Sequence, residues 1–117
     1  MQLYTFRGTL DRVIDGDTID CHIDVGFGLK THQRLRFHGI NTPELRSRDE
    51  DERSRAVLAR DFVERWLEGK NLYIQTYKSD VFGRYLARIY AEGECLNDVL
   101  VEHGLARPFL AERSLVD

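Results

Sequence analysis

The run Arg34-Leu35-Arg36-Phe37-His38-Gly39-Ile40-Asn41-Thr42-Pro43-Glu44 changes character half-way along. Leu35 and Phe37 alternate with Arg34, Arg36 and His38, the period-two pattern of a strand with one apolar face. Gly39 and Pro43 then end the regular structure, and Pro43 biases Thr42 towards an extended backbone. An arginine held by a strand is thus followed, within one turn, by an amide, a carbonyl and a carboxylate. A cation, a phosphate and a base for water can all be served there.

On the N-terminal side, residues 3–14 read as a strand interrupted near Gly8, where a bulge or bend is expected. Residues 18–25 alternate cleanly, Ile19, Cys21, Ile23 and Val25 facing one way and Thr18, Asp20, His22 and Asp24 the other. Gly26-Phe27-Gly28 turns this strand into the one at 29–38, which completes a three-stranded meander. On the C-terminal side, residues 45–55 are dense in charge and are expected to form a solvated, mobile loop. Ser54 is placed to cap a helix running to about Glu68, with Leu58, Phe62 and Trp66 as its core stripe and Ala59, Val63 and Leu67 beside it. Strands are expected at 71–77 and 84–91. A short helix follows at about 97–103, capped by Asn97 and ended by Gly104. Together these elements predict an α+β, mainly β chain: a five-stranded OB-type barrel with no parallel pair, a helix between strands 3 and 4, and a short C-terminal helix. One domain is expected over 1–117, with 108–117 a loosely ordered tail.

Composition agrees with a globular chain of this size. Of 117 residues, 42% are hydrophobic and 32% charged, and the net charge is −3. That charge excludes a global basic field, so any phosphate recognition has to come from local arginines. Cys21 and Cys95 form no Cys-x-x-Cys pair and are read as buried thiols rather than a disulfide. His22, His38 and His103 have no metal-ligand spacing and His32 lies near a turn, so the histidines receive no role. No membrane-length apolar run is present. The chain as it stands is expected in the cytoplasm, and outside the cell only if a leader was removed.

Two further stretches complement the first. Asp15-Gly16-Asp17-Thr18 places two carboxylates around a glycine, and Asp80-Val81-Phe82-Gly83-Arg84 places a second arginine just after a turn. These fragments, in this order with Arg36 and Asn41-Thr42-Pro43-Glu44, resemble the staphylococcal nuclease (thermonuclease) family over about residues 10–107. The resemblance implies a monomeric hydrolase that cuts DNA and/or RNA, leaving 3′-phosphate ends. It implies that Asp17, Asn41 and the backbone carbonyl of Thr42 hold a calcium ion, with Asp15 behind them. Arg36 and Arg84 then grip the scissile phosphate, and Glu44 takes the role of general base. Oxygen-only ligands suit such a hard cation, and other divalent ions are possible alternatives. Planar guanidinium forks suit the phosphate.

The pattern departs from the family at several points. Asn41 stands where the family has an aspartate, which removes one negative charge and implies a weakly held ion. Val81 and Phe82 replace a lysine and a tyrosine, and two tyrosines are absent near Arg107-Pro108-Phe109, leaving Phe109 as the candidate for stacking a base. These departures support an alternative reading, a weak or inactive nuclease-like module that binds nucleic acid or a protein partner.

Overall fold

The computed structural model describes residues 4–79 and 83–109. Alternation becomes strand where it was read: β1 (Tyr4–Asp15), β2 (Thr18–Gly26), β3 (Leu29–Phe37) and the two-residue β4 (Ile40–Asn41) precede helix α1 (Glu50–Leu67). Strands β5 (Leu72–Ser79), β6 (Tyr85–Ala91) and the short β7 (Glu94–Cys95) lead into helix α2 (Leu96–Glu102) and β8 (Arg107–Pro108). Long β1 serves two neighbours, pairing with β2 from Arg7 to Asp15 and with β5 through Tyr4 to Gly8. Gly8 sits where the strands crowd: a Cβ there would lie 2.6 Å from Ile74 Cδ1 and 3.1 Å from the His22 carbonyl.

The five long strands close in the order β1-β2-β3-β6-β5. The expectation of no parallel pair is corrected here, because β3 and β6 run parallel, with Leu35 opposite Tyr85, Arg36 opposite Leu86 and Phe37 opposite Ala87. The reason is arithmetic. Strands that alternate in direction cannot close a ring of odd number without one parallel seam, and this seam carries Arg36.

Inside the ring lie Ile19, Cys21, Ile23, Leu35, Phe37, Leu72, Ile74, Ala87 and Ile89. Burying large apolar side chains of this kind contributes about 1.5–3 kcal/mol each. Val25, expected with them, is 40% exposed, because β2 and β3 continue to a hairpin tip whose Phe27 is fully exposed. Both cysteines are free, Cys21 buried and Cys95 half-buried. Burial, then the charges of Asp20 and Asp11, push the Cys21 thiol up to about 12.

Helix α1 begins earlier than predicted. Asp49, not Ser54, is the cap and accepts from the Asp51 N–H at 3.1 Å. Glu50, Asp51 and Glu52, read as part of a mobile loop, form the first turn, where carboxylates complement the helix dipole. Glu52 also ties down the preceding segment, accepting from the Glu44 N–H at 3.0 Å and from Ser47 Oγ at 2.9 Å. Those two bonds hold its carboxyl below the usual range. The buried face is also rotated from the predicted stripe: Ala56, Ala59, Val63 and Leu67 are buried, Phe62 and Trp66 are half-buried, and Leu58 is 60% exposed. Small Ala56 and Ala59 let the helix approach the barrel more closely than a Leu58-led face permits. Trp66 keeps its ring beneath Lys70 Nζ, 4.0 Å from the centroid.

Helix α2 starts at Leu96 behind Cys95, so Asn97 is not its cap. The Asn97 side chain is instead fully buried, a role taken up below. Residues 80–82 and 110–117, including Asp80, Val81, Phe82 and most of the expected tail, lie outside the described residues. The tail's first residues are tied down: Pro108 pairs with Ile40, and the Phe109 N–H donates to the Gly39 carbonyl at 2.8 Å. Among the described residues, no helix is long and apolar enough to cross a membrane.

Candidate active site

The turn between β1 and β2 supplies the acidic half of the site. Gly16 is buried there, and a Cβ on it would lie 2.8 Å from Ala59 Cβ and 3.0 Å from both Cγ2 and Oγ1 of Thr42. Glycine therefore lets the turn slide beneath α1 and the segment after β4. The Asp17 N–H donates to Asp15 Oδ1 at 3.1 Å, folding the two carboxylates towards each other. Asp17 is only 8% exposed. Its Oδ1 accepts from Thr18 Oγ1 at 3.2 Å, and its Oδ2 accepts from the Thr42 N–H at 3.0 Å.

The seam strand supplies the basic half. Arg36 is buried, donating through Nη1 to the Phe37 carbonyl at 2.8 Å and through Nη2 to Asn41 Oδ1. The same Nη2 lies 3.4 Å from Asp17 Oδ2. Arg84 is half-buried immediately before β6, two residues ahead of Leu86, the register partner of Arg36. The parallel seam thus sets Arg84, just before the start of β6, two register positions from Arg36, near the end of β3.

The turn carrying Asn41 and Thr42 is fixed from behind. Asn97 Nδ2 donates to the His38 carbonyl at 2.9 Å and to the Ala87 carbonyl at 3.0 Å, while Asn97 Oδ1 accepts from the Ile89 N–H at 3.1 Å. Asn41 pairs with Arg107 in β8. In front of this turn opens a cleft of roughly 640 Å³, lined among others by Asn41, Thr42, Glu44, Arg55, Arg107 and Phe109. Glu44 is exposed and Phe109 half-buried.

Asp15, Asp17, Arg36, Asn41 and Thr42 thus form one connected cluster, Glu44 and Phe109 stand in the cleft beside it, and Arg84 immediately precedes the neighbouring strand. Sequence reasoning missed Gly16 as a spacer, Asn97 as the support of the turn, and Arg55 and Arg107 as cleft residues. Only Gly16 carried a signal, in its place between two carboxylates.

The electrostatics fit a hard cation. Burial, then the adjacent Asp17, pushes the Asp15 carboxyl up to about 6. Burial alone would raise Asp17 as well, but the hydrogen bond shared with Asp15, the charge of Arg36 and the donors of Thr42 outweigh it and hold this carboxyl below its ordinary value. A buried carboxylate with a half-buried one beside it, next to an amide oxygen, is a donor set a divalent cation can relieve and occupy. Asp17, Asn41 and Thr42 fit as its holders, with Asp15 supporting Asp17.

Known proteins carry related sequences. A family model described as "Staphylococcal nuclease homologue" matches residues 34–115, which takes in Arg36, Asn41, Thr42, Glu44 and Arg84 but begins after Asp15 and Asp17. A thermonuclease of Staphylococcus hyicus is 35% identical over 98 residues, covering 82% of this chain and 55% of that protein. An uncharacterized protein of Bacillus anthracis is 31% identical over 105 residues, 87% of this chain and 47% of its own. The Staphylococcal-like nuclease CAN1 of Arabidopsis thaliana is 32% identical over 78 residues, 67% of this chain and 22% of its own. The chain thus spans about half the length, or less, of the relatives it matches. With the family match extending over most of its residues and the closed barrel beneath it, this chain belongs to the staphylococcal nuclease homologue family.

Proposed function

We propose that the chain is a divalent-cation-dependent phosphodiesterase acting on DNA and/or RNA. The observation that carries this reading is the convergence of buried Asp17, Arg36 and Thr42 with exposed Asn41, drawn from three separate segments, on one cluster at the edge of an open cleft. In this reading Asp17, Asn41 and Thr42 hold the ion, calcium by preference because the donors are all oxygen. When bound, it supplies positive charge that stabilises the developing phosphorane and acidifies a water.

The chain's own residues do the rest. Arg36 and Arg84 orient the phosphate and neutralise charge on its oxygens. Glu44, exposed at the cleft, takes a proton from water as its oxygen attacks phosphorus. The bond to the 5′ oxygen breaks, that oxygen gains a proton, and a 3′-phosphate remains. Arg55 and Arg107 extend the basic lining of the cleft along the strand, and Phe109 offers a ring for a base. We further propose that this barrel works as a monomer.

A second reading is favoured by the Arg36 contacts. The guanidinium is engaged by Asp17 and Asn41 themselves, and Asn41 is neutral, which together suit a barrel that binds nucleic acid or a partner without cutting. Incubating single-stranded and duplex DNA and RNA with calcium, magnesium or chelator separates the two. Calcium-dependent cleavage supports the enzyme, whereas binding without cleavage in every condition supports the module.

A further inference from the structure

We propose that Asp11, His22 and His32, on the outer face of the β1-β2-β3 meander, form a second site that takes a first-row transition-metal ion of the zinc type. Their ligand atoms all lie within 4.8 Å of one another, and all three residues are exposed. The histidines are spaced ten apart and carry no signal along the chain. It is the hairpin register that sets His22 directly opposite His32, with ring centroids 4.8 Å apart and planes tilted by 48°.

A β-bulge lies at the third ligand. In the β1–β2 ladder Leu10 pairs with Cys21 and Arg12 with Asp20, which leaves Asp11 as the extra residue. Strict alternation after Leu10 would send Asp11 outward and Arg12 inward. With the bulge both stay outward. Arg12 then reaches Asp20 at 3.3 Å, where Arg34 also binds at 2.8 Å. The local guanidinium groups are thereby held on Asp20, and Asp11 is left for the histidines, its Oδ2 lying 2.8 Å from His32 Nε2.

An Asp11–His32 hydrogen bond alone does not explain the second imidazole, since exposed contacts of this kind contribute little to stability. Two imidazoles and a carboxylate are, however, a ligand set that zinc and its neighbours prefer and calcium does not. Tetrahedral bonds of about 2.0–2.1 Å place ligand atoms about 3.3 Å apart, a closure that rotation of three exposed side chains achieves without moving the strands. Water completes the coordination on the open side. The chain would then carry two cation sites of opposite chemistry, oxygen-only at Asp17 and nitrogen-rich here.

The test is zinc titration of the full, tag-free chain by calorimetry, repeated with cobalt by visible absorption, in the presence and absence of calcium. The expected result is one zinc per chain, undisturbed by calcium and retained by Asp17→Asn. His22→Gln and His32→Gln should each weaken it by about tenfold or more. In the parent protein, zinc should also protect His22 and His32, but not His103, from diethyl pyrocarbonate, a readout that depends on no variant's folding. Absence of zinc uptake would overturn the proposal. So would uptake unchanged in the double glutamine variant, uptake lost only in Asp17→Asn, or modification of His22 and His32 at the same rate with and without zinc.

Discussion

Arg36 Nη2 lies 3.4 Å from Asp17 Oδ2, so the candidate phosphate-gripping arginine of β3 and the candidate cation-binding carboxylate of the β1–β2 turn already touch. Together with the bond from the same nitrogen to Asn41, this makes Arg36 a competitor for the oxygens that would hold the ion. In the proposed reading a bound cation would share these oxygens with the guanidinium, and Arg36 would then be available to the phosphate. Replacing Arg36 or Arg84 by lysine keeps the charge and loses the planar fork. Each variant should cleave about 10²–10³-fold more slowly with its circular dichroism unchanged. Parental rates in both would remove the arginine pair from the mechanism.

Glu44 stands exposed in the cleft beside Asn41 and Thr42, and its backbone N–H is anchored by Glu52. Glu44→Gln preserves that anchor and removes the base. Single-turnover cleavage should fall about 10²-fold while calcium affinity stays within about twofold of the parent. A glutamine variant that is fully active at every pH would take Glu44 out of the reaction.

Gly16 predicts a coupled loss. An added methyl meets Ala59 Cβ at 2.8 Å and Thr42 at 3.0 Å, and neither is the end of a flexible side chain. Gly16→Ala should destabilise the fold by about 1–3 kcal/mol and weaken calcium binding in parallel, because the helix or Thr42 must shift. Chemical denaturation and calcium titration of the same sample check both halves. Unchanged values in both would show that the turn is not tightly packed.

Asn97 satisfies three backbone groups from a fully buried position. Asn97→Ala removes the partner of the Ile89 N–H and a donor to the His38 carbonyl, while the Ala87 carbonyl keeps the His38 N–H. It should cost about 2 kcal/mol or more, and activity should fall because the His38–Asn41 turn loses its support. Equilibrium unfolding measures the first effect and cleavage rate the second. A stability equal to that of the parent would contradict the role.

What the chain disclosed in one dimension depended on the kind of signal. Strict alternation located the long strands, and the short-range order of Asp15, Asp17, Arg36, Asn41, Thr42 and Glu44 marked residues that the fold brings to one place. Contacts set by register were invisible, which is why His22, His32 and Asp11 showed no relation. Charge density misled at 49–52, where carboxylates complement a helix dipole instead of soliciting solvent. Asn97 looked like a cap because it stands at a helix start, yet burial against β6 decides its role. The rotation of α1 followed from Ala56 and Ala59, whose small size matters only once the Gly16 turn lies beneath them.

Asn41 offers the sharpest test. A neutral amide beside Asp17 should hold calcium weakly, and Asn41→Asp should tighten it by restoring a carboxylate. The decisive measurement is the rate of single-stranded DNA cleavage as a function of calcium concentration, for the parent and for Asn41→Asp, with chelator as the baseline. The expected result is weak, saturable, calcium-dependent cleavage by the parent, with the curve shifted to at least about tenfold lower calcium in the aspartate variant. No cleavage above the chelator baseline in either protein, at any calcium concentration, would contradict the proposed phosphodiesterase.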